Sequence, residues 1–271
     1  MAPSRRKQRV VTRPNAQSAL VQNGLVAYVD RERWAQEVRR PDWYLHLRDE
    51  YLDLLARART SPRETAHVIA DEVYGFFEEA LEQQTIALAP SGPAWDAQRQ
   101  PVDTVVIHHT ALEPGITMRR IEAIHLTRIY ASYYTNPAPA DKAIRGTGIQ
   151  SGHLRNGRQV FYCYHWLVRP DGQCERLLED HETGWHAGNW DVNCRSVGIC
   201  LDANLTDHPP TPEALAAIQR VLGTHYQDVS VSRIFGHREI NSSTTCPGNR
   251  FLGGWKQAII DASPRPKEER S

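Results

Sequence analysis

Across residues 87–101, ALAPSGPAWDAQRQP, the hydrophobic period of the chain changes. Upstream, apolar residues recur at helical spacing. Downstream they alternate as in strands, and the proline, glycine and small residues between the two regimes mark a connection. Neither an all-helical bundle nor an all-β fold accommodates both patterns, so the chain calls for a helical N-terminal region followed by an α/β domain. In the helical region WYLHLRDEYLDLLARA places Leu45, Tyr51, Leu52 and Leu55 near one face. Ser61, Pro62 and Glu64 fit an N-cap, a first-turn proline and the acid of a capping box, ahead of an apolar face of Val68, Ile69, Val73, Phe76, Phe77 and Leu81. About sixty residues make a marginal independent core, so these helices either fold alone or lie on the second domain.

After the connection the pattern predicts a strand at 104–108, a helix at 117–131, an irregular segment to about 153, and a hairpin pairing 159–169 with 173–178. A strand at 195–202, a helix at 212–226 and a strand at 230–236 follow. The fold class is therefore α/β, a mixed central β-sheet flanked by helices. The expected division is a basic flexible tail at 1–28, a helical region at 29–95, the α/β domain at 96–262 and a disordered tail at 263–271.

A formal net charge of zero gives no global basic field, and nothing aromatic is interleaved with Arg5, Arg6, Lys7, Arg9 and Arg13, so no nucleic-acid partner is expected. No run approaches the roughly 18 apolar residues of a membrane span. Arg5 and Arg6 imitate a twin-arginine signal, but no hydrophobic region follows. Cytoplasmic synthesis without a signal peptide is expected, with release or delivery to a cell-wall compartment left open. Five dispersed cysteines do not make a disulfide framework.

The chemistry lies in three residues. His108 ends the apolar run VDTVVIHHT, and His237 and Cys246 stand in GHREINSSTTCPG with eight residues between them. Two imidazoles and a thiolate are good zinc ligands, and stopping at three leaves a tetrahedral position open for a water that the metal acidifies. His108 and His109 are adjacent in a strand, where side chains alternate, so only one of them can face a given site. The remaining cysteines, 163, 174, 194 and 200, lack ligand-like spacing and read as packing residues.

Six motifs in order, VVIHHTA, MRRIEAIH, CYHWLVRPDG, GWHAGNW, SVGICL and GHREINSSTTCPG, resemble the zinc-dependent N-acetylmuramoyl-L-alanine amidase family, which includes amidase-type phage lysozymes and peptidoglycan recognition proteins. The resemblance covers about residues 100–260. It implies Zn2+ held by His108, His237 and Cys246, with Tyr164 assisting the reacting water, its phenol pKa lowered beside a dication. It also implies a hydrogen bond from Thr244 to the tetrahedral intermediate. In the central strand Val197-Gly198-Ile199-Cys200-Leu201 the catalytic glutamate of another branch is absent, which favours the tyrosine-dependent variant. His186, Trp185 and Asn193 are candidates for substrate contact.

One departure from the family pattern is TNPAPADKAIRGTGIQSGHLRNGRQVF, where Lys142, Arg145, Arg155 and Arg158 would form a wall pairing with stem-peptide carboxylates. The implied activity is hydrolysis of the amide between N-acetylmuramic acid and L-alanine in peptidoglycan or muropeptides. Two other readings stand beside it: a non-catalytic peptidoglycan-binding module, and an amidase warhead of a delivered toxin or lysin. Residues 29–95 would then offer a surface for a protein partner or for self-association.

Overall fold

A computed structural model describes residues 20–22, 25–112 and 114–262; the basic cluster Arg5 to Arg13 and the 263–271 tail lie outside the described residues. A short antiparallel pair, β1 (Leu20–Gln22) and β2 (Leu25–Ala27), shows that regular structure begins inside the segment read as tail. Helices α1 (Arg31–Glu37), α2 (Tyr44–Thr60) and α3 (Arg63–Glu82) follow.

The stripe that α2 buries is Tyr44, Leu47, Tyr51, Leu55 and Ala58, whereas Leu45 and Leu52 are only partly covered. On α3 the expected apolar face is buried except Val68, which is 47% exposed. The capping box does not form. Pro62 takes the cap position without a side-chain hydrogen bond, and Ser61 Oγ donates instead to Arg57 O at 2.9 Å, closing α2 rather than opening α3.

These helices do not stand apart. One apolar cluster runs from Trp34, Tyr51 and Phe77 to Ile124, Tyr130, Phe161 and Trp185. Phe77 is its hub, with ring centroids 5.6 Å from Trp34, 5.3 Å from Trp43 and 5.5 Å from Tyr51. Tyr51 Oη also donates to Thr127 O at 3.0 Å, giving the one polar atom of a buried phenol its partner. The 87–101 connection is thus a change of element type and not a break in the core.

The α/β part begins with β3 (Thr104–His109) and α4 (Pro114–His125), which passes through a π-helical turn at Leu126–Tyr130 into α5 (Ala131–Thr135). An excursion carries the tight hairpin β4 (Leu154–Arg155) and β5 (Arg158–Gln159). Its turn residues Asn156 and Gly157 have φ of 53° and 76°, the left-handed pair that a two-residue hairpin requires. The expected pairing of 159–169 with 173–178 is correspondingly shorter. Residues 158–159 belong to that earlier hairpin, and only β6 (Trp166–Val168) and β7 (Cys174–Arg176) pair. Then come α6 (Trp190–Asn193), β8 (Ser196–Leu201), α7 (Pro212–His225), β9 (Ile234–Gly236), α8 (His237–Ile240) and α9 (Lys256–Ala262).

Five of the described strands form a sheet in the order β7-β6-β8-β3-β9, parallel except for β7, with helices on its faces. β3 and β8 are buried along their whole length, as strands covered on both faces must be, which explains their continuous apolar runs. β3 and β9 are parallel neighbours with Ile107 opposite Gly236. His108 and His237, each the next residue, therefore leave the sheet at the same edge, the carboxyl end where sites in parallel sheets form.

Candidate metal centre

Strand alternation separates the two adjacent histidines. His108 turns toward His237 and Cys246, while His109 turns away and accepts the Leu205 N–H at its Nδ1, 3.0 Å distant. The ligand atoms of His108, His237 and Cys246 all lie within 4.8 Å of one another. His109 still contributes through its backbone, whose N–H points at Cys246 Sγ at 3.4 Å. Thr244 does not face outward as an isolated donor: its Oγ1 accepts the Cys246 N–H at 3.1 Å and so fixes the turn that presents the sulfur.

A chain of hydrogen bonds settles which nitrogen of His108 is available. Ser196 Oγ donates its proton to Val192 O at 2.6 Å, so toward His186 Nε2, 3.3 Å away, it can only accept. His186 Nε2 therefore carries the proton and His186 Nδ1 is the acceptor. That acceptor lies 3.1 Å from His108 Nε2, which must donate to it. The lone pair of His108 is then on Nδ1, the atom that faces Cys246 Sγ at 3.7 Å. A second imidazole donating or accepting behind a ligand imidazole fixes its tautomer and its plane.

His186, a substrate candidate from the sequence, thus stands behind His108, 4% exposed. Gly198 makes room for it: a Cβ there would sit 2.9 Å from the His186 ring, closer than side chains pack. Asn193 Oδ1 accepts the N–H groups of His186 at 3.2 Å and Ala187 at 2.8 Å and so holds the same loop. Trp185 stacks on Tyr130 at 4.6 Å and meets Trp95 edge-on at 4.8 Å, in the core and not against the three converging residues.

Burial keeps the imidazoles neutral. It pushes His108 well below the ordinary histidine range, His186 down to about 3, and His237 down as well. Burial raises the Cys246 thiol to about 12. The donor set suits a soft divalent cation: two neutral imidazoles, one of them with Nε2 buried and unpartnered among the described residues on His237, and a thiol whose proton such a cation displaces.

Tyr164 lies with its ring 5.0 Å from that of His108 and 5.0 Å from that of His125. Its phenol is pushed well above its ordinary value, first by burial and then by the Cys200 and Cys246 sulfurs. His125 Nδ1 accepts the Cys163 N–H at 3.1 Å and so sets the segment leading into Tyr164. The excursion's arginines are held elsewhere. Arg155 pairs with Glu182, Arg158 pairs with Glu122, and Arg145 Nε donates to Thr135 O at 3.0 Å. A wall of cations awaiting substrate carboxylates is therefore not what Arg155 and Arg158 make, because buried protein carboxylates already occupy them. The sequence patterns do not single out Ser196 or Gly198 for the site. Only Gly198 carried a signal, since glycine inside a strand marks a close approach.

Residues 98–249 match the family model described as N-acetylmuramoyl-L-alanine amidase. No curated protein matches the chain significantly. Among solved structures it is similar to the endolysin N-acetylmuramoyl-L-alanine amidase LysCS from Clostridium intestinale URNW, at 22% identity and TM-score 0.43, covering 63% of this chain and 89% of that one. It is similar also to Drosophila peptidoglycan recognition protein SD, at 21% identity and TM-score 0.40 over 67% and 92% of the two chains. A selenomethionine derivative of AmpD matches at 19% identity and TM-score 0.39 over 64% and 91%.

Proposed function

The chain belongs to the N-acetylmuramoyl-L-alanine amidase family and is an enzyme of that class, and we propose that it cleaves the amide between N-acetylmuramic acid and L-alanine with Zn2+ held by His108, His237 and Cys246. The observation that carries this reading is the convergence of three ligand atoms within 4.8 Å, with the tautomer chain leaving Nδ1 of His108 facing inward. Bound there, zinc would polarise the scissile carbonyl and acidify a water.

The chain's own residues supply the rest. His186 and Ser196 hold the His108 ring against rotation, Thr244 and the His109 N–H hold Cys246, and a buried site strengthens each of these bonds. Tyr164, its ring 5.0 Å from that of His108, brings a phenol O–H to the site, a donor suited to the carbonyl oxygen as that atom gains negative charge. The retained His, His and Cys set argues for cleavage over recognition alone. The substrate is peptidoglycan or muropeptides. Among the described residues no helix is long and apolar enough to cross a membrane.

The test is release of peptides beginning with alanine from purified peptidoglycan, identified by mass spectrometry. Native protein, chelated protein refilled with zinc, and Cys246→Ser are compared. Zinc-restored release that Cys246→Ser lacks supports the reading; release insensitive to chelation sinks the zinc assignment.

A further inference from the structure

A cavity of ≈ 450 Å³ opens between the N-terminal helices and the sheet, with Arg59, Arg63, His67 and Tyr74 on one side and Arg128 and Asn204 on the other. Ala111 also lines it, two residues beyond His109, which sets the cavity beside the metal centre. Its described lining contains cations and no carboxylate. Helix α3 starts on its wall without a side-chain cap, so the first-turn amides of a 20-residue helix add positive potential there.

Arg128 joins this cavity to the reaction site. It sits on the π-helical turn, a local widening of the helix that recurs at functional sites. It lines the cavity one helical turn beyond His125, whose ring lies 5.0 Å from that of Tyr164. It is partly buried, yet among the described residues no hydrogen bond or carboxylate holds it, in contrast to Arg155, Arg158 and Arg169, all ion-paired. A desolvated guanidinium without an anion is unfavourable, and an arriving carboxylate removes that penalty.

We propose that the N-terminal helices form half of the substrate site: the cavity takes the peptide arm of a muropeptide, with Arg128 and Arg59 binding a stem-peptide carboxylate. This rests on the amidase reading above. With the scissile amide at the metal centre, the carboxylate of the second peptide residue lies within about 7 Å, two residues of extended chain, which suits a cavity adjoining that centre. It also gives the shared core of α2 and α3 with the amidase domain a function, since the helices must be held rigidly to form a wall.

The test compares two substrates that differ in one group, N-acetylmuramoyl-L-alanyl-D-glutamate and its isoglutamine counterpart, in which the α-carboxylate is a carboxamide and the γ-carboxylate is the same. Steady-state kinetics are read for native protein, Arg128→Gln, Arg128→Lys and Arg59→Gln. Native protein is expected to have the lower KM for the acid. Arg128→Gln should raise that KM about tenfold and the amide's by less, collapsing the preference, the size of one charge-assisted hydrogen bond. Arg128→Lys should keep part of the preference, and Arg59→Gln, at an exposed position, should cost about threefold.

Equal KM values for acid and amide in native protein, or a preference that survives in both glutamine variants, overturn the proposal. If native protein cleaves neither compound, the amidase reading has failed, and calorimetric titration of the same two compounds still decides the cavity. Acid-selective binding lost in Arg128→Gln supports it; binding equal for both compounds overturns it. Because Arg59 lies on the surface, its variant remains informative should Arg128→Gln not fold.

Discussion

The corner where β3 and β9 end and the excursion between α5 and β6 are both rich in polar side chains, and they treat them in opposite ways. In the excursion, Arg158 meets Glu122, Arg155 meets Glu182, and Gln159 bridges Ser151 N–H and Ala89 O. In the corner, hydrogen bonds reach His108 and Cys246 from behind and leave His108 Nδ1, His237 Nε2 and the sulfur facing one another. Partner-satisfied polar groups hold a fold together, whereas groups satisfied on one side only are the ones left to do chemistry. Charge and exposure by themselves do not distinguish the two.

Cys246→Ser offers the sharpest way to break this contrast, because a hydroxyl is a poor zinc ligand; metal content should fall below stoichiometry and amide hydrolysis by about a thousandfold or more. Thermal stability measured by calorimetry should change far less. In the excursion the order reverses. Arg158→Ala leaves Glu122, 4% exposed and also the acceptor of Phe161 N–H, without its cation, and should destabilise the protein by about 2 kcal/mol after allowance for the arginine's partial exposure. At a temperature where the variant is folded, its KM for charged muropeptides should stay native; a large rise would restore the substrate-wall reading of this segment.

Gly198→Ala tests the corner from behind. The methyl would press on His186, tilt His108, and lower zinc affinity about 10- to 100-fold as read by competition with a chelator. Unchanged affinity would show that the His186 relay is idle. Glu78 supplies a pH signature of the crowded side. Burial, followed by the neighbouring Glu122 charge, raises its carboxyl to about 7. Below the ordinary carboxylate range it is protonated folded and unfolded alike, so it costs nothing there. Above the ordinary carboxylate value the unfolded chain loses this proton while the fold keeps it, so stability falls until the folded group also ionises at about 7, by about 3 kcal/mol. Glu78→Gln should flatten that slope in denaturation curves. Smallest of all, Arg145→Ala removes one exposed bond to Thr135 O and should shift stability by less than about 0.5 kcal/mol.

The sheet and the late helix were legible because their signals are local. The apolar runs of β3 and β8 announce strands buried on both faces, and Thr211 with Pro212 announces the start of α7, where Thr211 Oγ1 accepts the Ala214 N–H at 3.1 Å. The start of α3 departs from its sequence pattern for a reason also local, since Ser61 has two acceptable partners and closes α2 instead. The place of His186 is not legible locally, because it depends on His108, 78 residues away, and on Ser196 behind it.

Residue type and period determined, without the fold, that a helical region precedes an α/β domain, and they singled out His108, His237 and Cys246 as candidate soft donors. Both follow from chemistry carried within a few residues. Tertiary structure alone decided that Arg128 meets no carboxylate among the described residues, which nitrogen of His108 holds the lone pair, and that the N-terminal helices share a core with the domain they precede. Each of those depends on partners distant in the chain, and a hydrogen bond or an ion pair is defined by the atom it meets.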